Sequence, residues 1–147
     1  MHTMFSKACE YAIKAGVFIA TETQKGNRCS LKTIAAEIDS PEAFTAKILQ
    51  QLSRNNLIVS TIGSHGGFEM DARKAKANKL STIVELFDGN GIYKGCGLGL
   101  KHCSEVKPCP MHDHFKKIRE ELREMLENTT VYDLSRKIEN GNGFLKR

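Results

Sequence analysis

Three cysteines and a histidine fall in one short stretch: Cys96, Cys103, Cys109 and His112, in the spacing C-x6-C-x5-C-x2-H. Sulfur donors are soft ligands. They select zinc, Cu(I) or iron–sulfur clusters over hard cations. Zinc knuckles place cysteines roughly two to four residues apart, so that one tight turn wraps one ion. The gaps here are wider, and Gly95, Gly97 and Gly99 sit among them. That pattern suits a larger inorganic core whose backbone must pass close to sulfide. The Cys109-Pro110 step also occurs in ferredoxin loops. The stretch therefore reads as a metal site, with iron–sulfur ahead of zinc and three unrelated loop thiols as the plain alternative. His102 and His114 flank it and read as solvated. Cys9 stands on an apolar helix and reads as a buried thiol. Cys29 reads as a bystander in a loop.

These residues need elements to position them. Residues 5–23 carry Phe5, Ala8, Ala12, Ala15 and Ile19 at helical spacing. Tyr11, Ile13, Val17 and Phe18 widen that face, so this helix is expected to be buried on most sides. Ser30 is placed to cap a helix over 31–38. Ser40 as N-cap and Pro41 at the first helical position open another, over 41–54. Two short helices joined by a tight turn are the outline of a helix-turn-helix. A strand over 57–62, a turn at Gly63–Gly67 and a return over 68–70 add a hairpin. Residues 71–79 read as a basic linker with Arg73, Lys74, Lys76 and Lys79. A short helix over 81–87 precedes the cysteine stretch. A long one over 111–128 follows it, with an apolar seam of Phe115, Ile118, Leu122, Met125 and Leu126. Residues 131–138 give a last amphipathic helix, and the polar tail from Glu139 is expected to fray.

Composition narrows the function. The 147 residues are 40% hydrophobic and 27% charged, the balance of a soluble single domain. Lys plus Arg number 22 against 17 acidic residues, a net +5 that suits a polyanionic partner without demanding one. No apolar run approaches the roughly 18 residues a membrane span needs. The start at Met1-His2-Thr3-Met4 has no charged-then-apolar leader, so a cytoplasmic protein is expected. Five cysteines in a reducing compartment argue against a disulfide framework. No nucleophile–base constellation, phosphate loop or carboxylate pair points to an enzyme.

The helix-turn-helix, the Gly66-Gly67-Phe68 wing, the three-cysteine loop and the long helix after it resemble the winged-helix regulators that include IscR and NsrR. The likeness runs from Met4 to about Leu134, and the opening Phe5-Ser6-Lys7 through Tyr11-Ala12 also resembles theirs. It implies a fold that is mainly α with a small β-hairpin wing: a winged helix-turn-helix plus a long dimerisation helix. It implies a homodimer on double-stranded operator DNA, and an iron–sulfur cluster held by Cys96, Cys103 and Cys109. Two fourth ligands stay open. His112 matches the histidine three residues after the third cysteine in IscR-type members. Glu10 matches the acidic residue that NsrR-type members supply from the partner's first helix. A 2Fe–2S cluster is preferred to 4Fe–4S if His112 ligates. Two positions depart from the resemblance: Ile62 stands where an arginine often precedes the wing glycine, and Ala46 where a glutamate is common.

In a winged helix the second helix of the pair enters the major groove. Lys47 can reach guanine and Gln50 can pair adenine. Lys32, Ser40, Thr45 and Arg54 suit phosphates. Ser64 and His65 at the wing tip suit the minor groove. The expected organisation is a DNA-binding domain over 1–80, a cysteine loop with dimerisation helices over 81–138, and a tail over 139–147. The expected function is a DNA-binding transcription regulator, no enzyme, whose affinity is set by a cluster sensing redox state, nitric oxide or cluster supply. One alternative keeps the winged helix with zinc or no metal, under control of a partner protein. A remote one is an iron–sulfur electron carrier.

Overall fold

In the computed structural model residues 4–147 are described, so Met1, His2 and Thr3 of the stretch read for a leader lie outside the described residues. The first helix, α1 (Lys7–Gln24), is the axis of the molecule. Its start is fixed by Ser6, whose hydroxyl accepts from the Cys9 N–H at 3.1 Å. Cys9, Ala12, Ala15, Gly16, Val17, Ile19 and Ala20 are all buried, so α1 is enclosed on most sides. The small residues let neighbours approach closely: Gly16 faces Met70, Ile83 and Val131 within 4 Å of where a Cβ would stand.

Helix α2 (Leu31–Glu37) starts at Ser30, whose hydroxyl accepts from Thr33 N–H at 3.1 Å. Helix α3 (Glu42–Arg54) follows a turn in which Asp39 takes a positive φ of 53°. The start of α3 differs from the sequence expectation. Pro41 is the N-cap, with extended ψ, and Ser40 makes no capping bond. The Ser40 hydroxyl instead accepts from Thr45 Oγ1 at 2.8 Å. A left-handed Asn56 (φ 61°) ends the pair.

Strands β1 (Val59–Thr61) and β2 (Gly67–Glu69) pair antiparallel, with Ser60 opposite Phe68 and Thr61 opposite Gly67. Cys29 adds a third edge, exchanging backbone bonds with Phe68 at 2.8 and 3.0 Å. The basic stretch after the wing is not a linker throughout. It forms α4 (Ala72–Ala77), capped by Asp71 on Lys74 N–H at 2.7 Å and anchored by buried Ala75. Next come α5 (Leu80–Asp88), a 3₁₀ turn (Gly91–Tyr93), the irregular cysteine stretch, α6 (His112–Asn128) and α7 (Val131–Glu139). A capping box at Thr130 and Asp133 opens α7.

One core unites these pieces. Ile19, Ile34, Ile38, Leu49 and Leu52 meet Met70, Ile83, Val84, Leu126 and Val131 in a single cluster. The tail also departs from expectation. Leu145 packs against that core, and Lys146 Nζ donates to Ala36 O, at the end of α2, at 3.3 Å.

Candidate metal loop and nucleic-acid interface

The cysteine stretch runs from the 3₁₀ turn to the first turn of α6. Ile92 and Tyr93 of the turn pack against the core, but residues 94–111 contribute no apolar side chain to it, so hydrogen bonds and close approaches shape them. Cys96 is half-buried. The backbone N–H of Leu100, then that of Leu98, with smaller help from Cys109 and Gly99, hold its thiol below the ordinary value. Gly99 supports that turn at φ 75°, its N–H on Cys96 O at 2.9 Å. A side chain at Gly97 would strike the Phe115 ring, so the loop lies directly on α6 there.

The other three donors gather at the helix start. His112 is the first residue of α6 and is buried. Its N–H donates to Cys109 O at 3.0 Å, and its Nδ1 lies 3.4 Å from the Cys103 sulfur. Arg119, two turns along α6, donates Nη2 to the same sulfur at 3.1 Å and Nη1 to Gly95 O. Cys96, Cys103, His112 and Arg119 line an open cavity of about 740 Å³. The donors stand as two neighbouring pairs, Cys96 with Cys109 and Cys103 with His112. Among the described residues, no three His, Cys, Asp or Glu side chains converge on one point suited to a single ion. Three thiols and an imidazole in one loop are a donor set suited to a cluster of iron and sulfide.

Other candidates are placed elsewhere. Glu10 lies in the first turn of α1, paired with Lys7 at 3.4 Å, and does not line the cavity. His102 and His114 are exposed, and His102 lines the cavity. Cys9 and Cys29 are buried, and burial pushes both thiols up to about 12. The charges of Asp88 and Glu10 add to the effect at Cys9, and that of Glu22 at Cys29. Cys29 is thus no bystander but a core residue that fastens the wing. Sequence reasoning missed Arg119. Its signal was available: counting back along α6, it shares a face with Phe115 and His112.

The reading head is equally definite. Lys47, Gln50 and Arg54 are exposed on α3, and Lys32 is exposed on α2. Ser64 and His65 are exposed at the wing tip, and Ser40 is half-buried in the turn. Thr45 is corrected: it is fully buried, its hydroxyl on Ser40 Oγ and Pro41 O at 2.8 Å, so it ties down the helix start and faces no phosphate. Gln50, Arg54, Ser60 and Phe68 line a groove between α3 and the wing. Arg28, unremarked in the sequence, braces the wing: Nη1 donates to His65 O at 2.8 Å and Nε to Glu69 at 3.3 Å.

Helix α6 leans away from the core. Leu126 is buried at its foot, while Ile118 and Met125 on the same seam are 58% and 50% exposed.

Comparison with known proteins places this geometry. The family described as "Rrf2: Iron-dependent Transcriptional regulator" matches residues 5–137. A protein of Aquifex aeolicus, whose name gives it as an HTH-type transcriptional regulator, is 28% identical over 133 residues, 89% of this chain and 90% of its own. A similarly named protein of Mycobacterium tuberculosis is 29% identical over 131 residues, 88% of this chain and 80% of its own. Two solved structures share the fold. CymR, the global cysteine regulator of B. subtilis, has a TM-score of 0.71 at 20% identity, covering 92% of this chain and 98% of its own. IscR of T. potens has a TM-score of 0.71 at 20% identity, covering 97% and 92%.

Proposed function

This chain belongs to the Rrf2 family of transcriptional regulators, DNA-binding proteins and not enzymes, and on that premise we propose that it is a homodimeric regulator whose DNA affinity is set by an iron–sulfur cluster in the loop before α6. The observation that carries this reading is the place of the loop. The three loop cysteines lie between α5, which packs on α1 of the reading head, and α6, which His112 opens and whose seam leaves Ile118 and Met125 exposed in a single chain.

Cys96, Cys103, Cys109 and His112 would hold the cluster, and the four donors as two pairs favour the 2Fe–2S form. When bound, the cluster supplies an iron that small oxidants or nitric oxide can attack, because imidazole is a harder and more labile ligand than thiolate. The chain's own residues do the rest. His112 begins α6, so any change in its ring position is felt at the start of that helix. Arg119 holds Cys103 and the Gly95 carbonyl from one turn of α6 to the loop's first turn. The seam of Ile118, Leu122 and Met125 fits a second copy of the same helix, which sets the spacing of two reading heads. Half-site spacing is a geometric requirement, so a small shift there changes affinity. On each head, Lys47 and Gln50 reach base edges, and Lys32, Ser40 and Arg54 meet phosphates, with Ser64 and His65 at the wing tip. Among the described residues no helix is long and apolar enough to cross a membrane. We place the protein in the cytoplasm, where its DNA is.

The test is anaerobic purification with a visible spectrum, iron and sulfide counts, and binding of one operator by loaded and metal-free protein. A brown protein with equal iron and sulfide, and different affinities for the two forms, is expected. A colourless protein after reconstitution, or equal affinities, overturns the sensor and leaves a winged helix controlled by zinc or by a partner. His112→Ala is expected to abolish loading and Glu10→Ala to leave it intact; the reverse result moves the fourth ligand to the partner's Glu10.

A further inference from the structure

The wing poses a problem of charge. Between Val59 and Met70 the sequence carries no Lys or Arg. A neighbouring cation, the half-exposed Arg28, donates to Glu69 and to the His65 carbonyl. A wing that meets DNA through ion pairs needs cations along it, and this hairpin carries no Lys or Arg of its own.

What it offers is Ile62. This residue is 98% exposed, more than any other large apolar residue described. It follows β1 directly, where side chains alternate between faces. Ser60, two residues back, lines the groove shared with Gln50 and Arg54 of α3, so continued alternation would carry Ile62 on that same face beyond the groove's edge. The tip is also stiff. Gly66 N–H closes the turn on Gly63 O at 2.9 Å, and a side chain at Gly66 would collide with Thr61 O. Arg28 holds the descending arm, and the Cys29–Phe68 bonds hold the base. A β-branched side chain with few rotamers, on a braced turn, keeps a fixed shape.

We propose that Ile62 is the residue through which the wing reads the minor groove, by apolar contact with groove walls and base-step edges and without neutralising phosphate. Apolar side chains can enter the minor groove and select base steps that widen or unstack easily. The site therefore prefers minor grooves free of the guanine 2-amino group at the position the tip reaches. This rests on the reading of α3 as the base-contacting helix.

The test uses full-length protein and a duplex it selects from a random-sequence library, with fluorescence anisotropy across a range of salt. Ile62→Ala is expected to weaken binding about tenfold with an unchanged salt slope, because the contact is apolar. Ile62→Arg is expected to steepen the slope by about one unit. Diaminopurine in place of adenine beneath the wing adds an amino group to the minor groove. It is expected to weaken the wild type and leave Ile62→Ala indifferent. Wild-type affinity in Ile62→Ala, with binding lost in Lys47→Ala, overturns the role of Ile62 and keeps the reading of α3. Wild-type affinity in both variants overturns that reading as well.

Discussion

From Cys9 to Val84 almost every turn of helix sends an apolar side chain into the core; from Glu85 to Met125 none is buried, and His112 alone among those described residues lies out of solvent. The reading head is thus held by burial, which is non-directional and roughly proportional to area. The cysteine loop is held by backbone bonds to a thiol, an arginine on a sulfur and one glycine, Gly97, packed against the Phe115 ring. Such contacts fix a shape only while their partners stay put. A head that must present Lys47 and Gln50 in a constant frame gains from the first kind of order. A loop that must respond to what its thiols hold gains from the second. The largest expected effect sharpens this contrast. Leu49→Ala, at a fully buried site in α3, is expected to cost about 2–5 kcal/mol and to lower Tm by on the order of 10 °C. Leu100→Ala in the loop, where the side chain is 55% exposed, is expected to stay within about 0.5 kcal/mol. Equal losses in thermal unfolding break the comparison.

The wing lies between the two regimes, and a backbone substitution probes it. Gly67 has φ +138°, and a Cβ there would come within 2.7 Å of Cys29 O. Gly67→Ala is expected to cost about 1–3 kcal/mol from strain and to loosen the tip. Hydrogen exchange reads the result: the Cys29–Phe68 amides lose protection while those of α6 keep theirs.

How much of this was legible in the sequence follows the same division. Helix α3 was visible because Ile48, Leu49 and Leu52 repeat at helical spacing and are buried. The cap at Ser30 was visible because a hydroxyl before an apolar run has one obvious use. Ser40 looked like a second such cap. It failed because Thr45 reaches back and takes its oxygen, a contact five residues away that no local rule weighs. Helix α4 was hidden by its charges: of its three alanines only Ala75 is buried, and one buried position among lysines leaves no period to detect. The loop's donors were legible as types and spacing. Their pairing was not, because it depends on where α6 begins. Arg28 and the returning tail join residues far apart in sequence, at 37 positions to His65 and 110 to Ala36. Nothing in a local pattern announces them.

Titration carries the contrast into solution. Cys9 and Cys29 ionise only near 12 in the folded chain, against 9.0 without the fold. The unfolded chain therefore releases these protons first as pH rises. The head keeps its full stability below pH 9 and loses part of it between pH 9 and about 12. By pH 10 the loss is about 1 kcal/mol for each thiol. Urea midpoints at pH 7 and pH 10 measure it, and Cys9→Ala with Cys29→Ala is expected to flatten the difference. A head whose midpoint holds steady between those values, with both thiols present, would show them to be solvated.

The smallest effect on stability is also the most specific. In metal-free protein near pH 7.5, iodoacetamide is expected to modify Cys96 first, because the Leu100 and Leu98 amides favour its thiolate. Cys9 and Cys29 carry about a thousandfold less thiolate than an unburied thiol, and they sit out of reach of the reagent. Mass spectrometry of peptides over time gives the order. Alkylating the loop removes no buried apolar contact, so the Tm of the modified protein is expected to stay within about 2 °C of the untreated one. A large fall would mean that the loop supports the core after all, and that a change at the thiols reaches the reading head by loosening it. An unchanged Tm with lost cluster uptake leaves the other route: the head stays folded, and only the spacing of two heads responds.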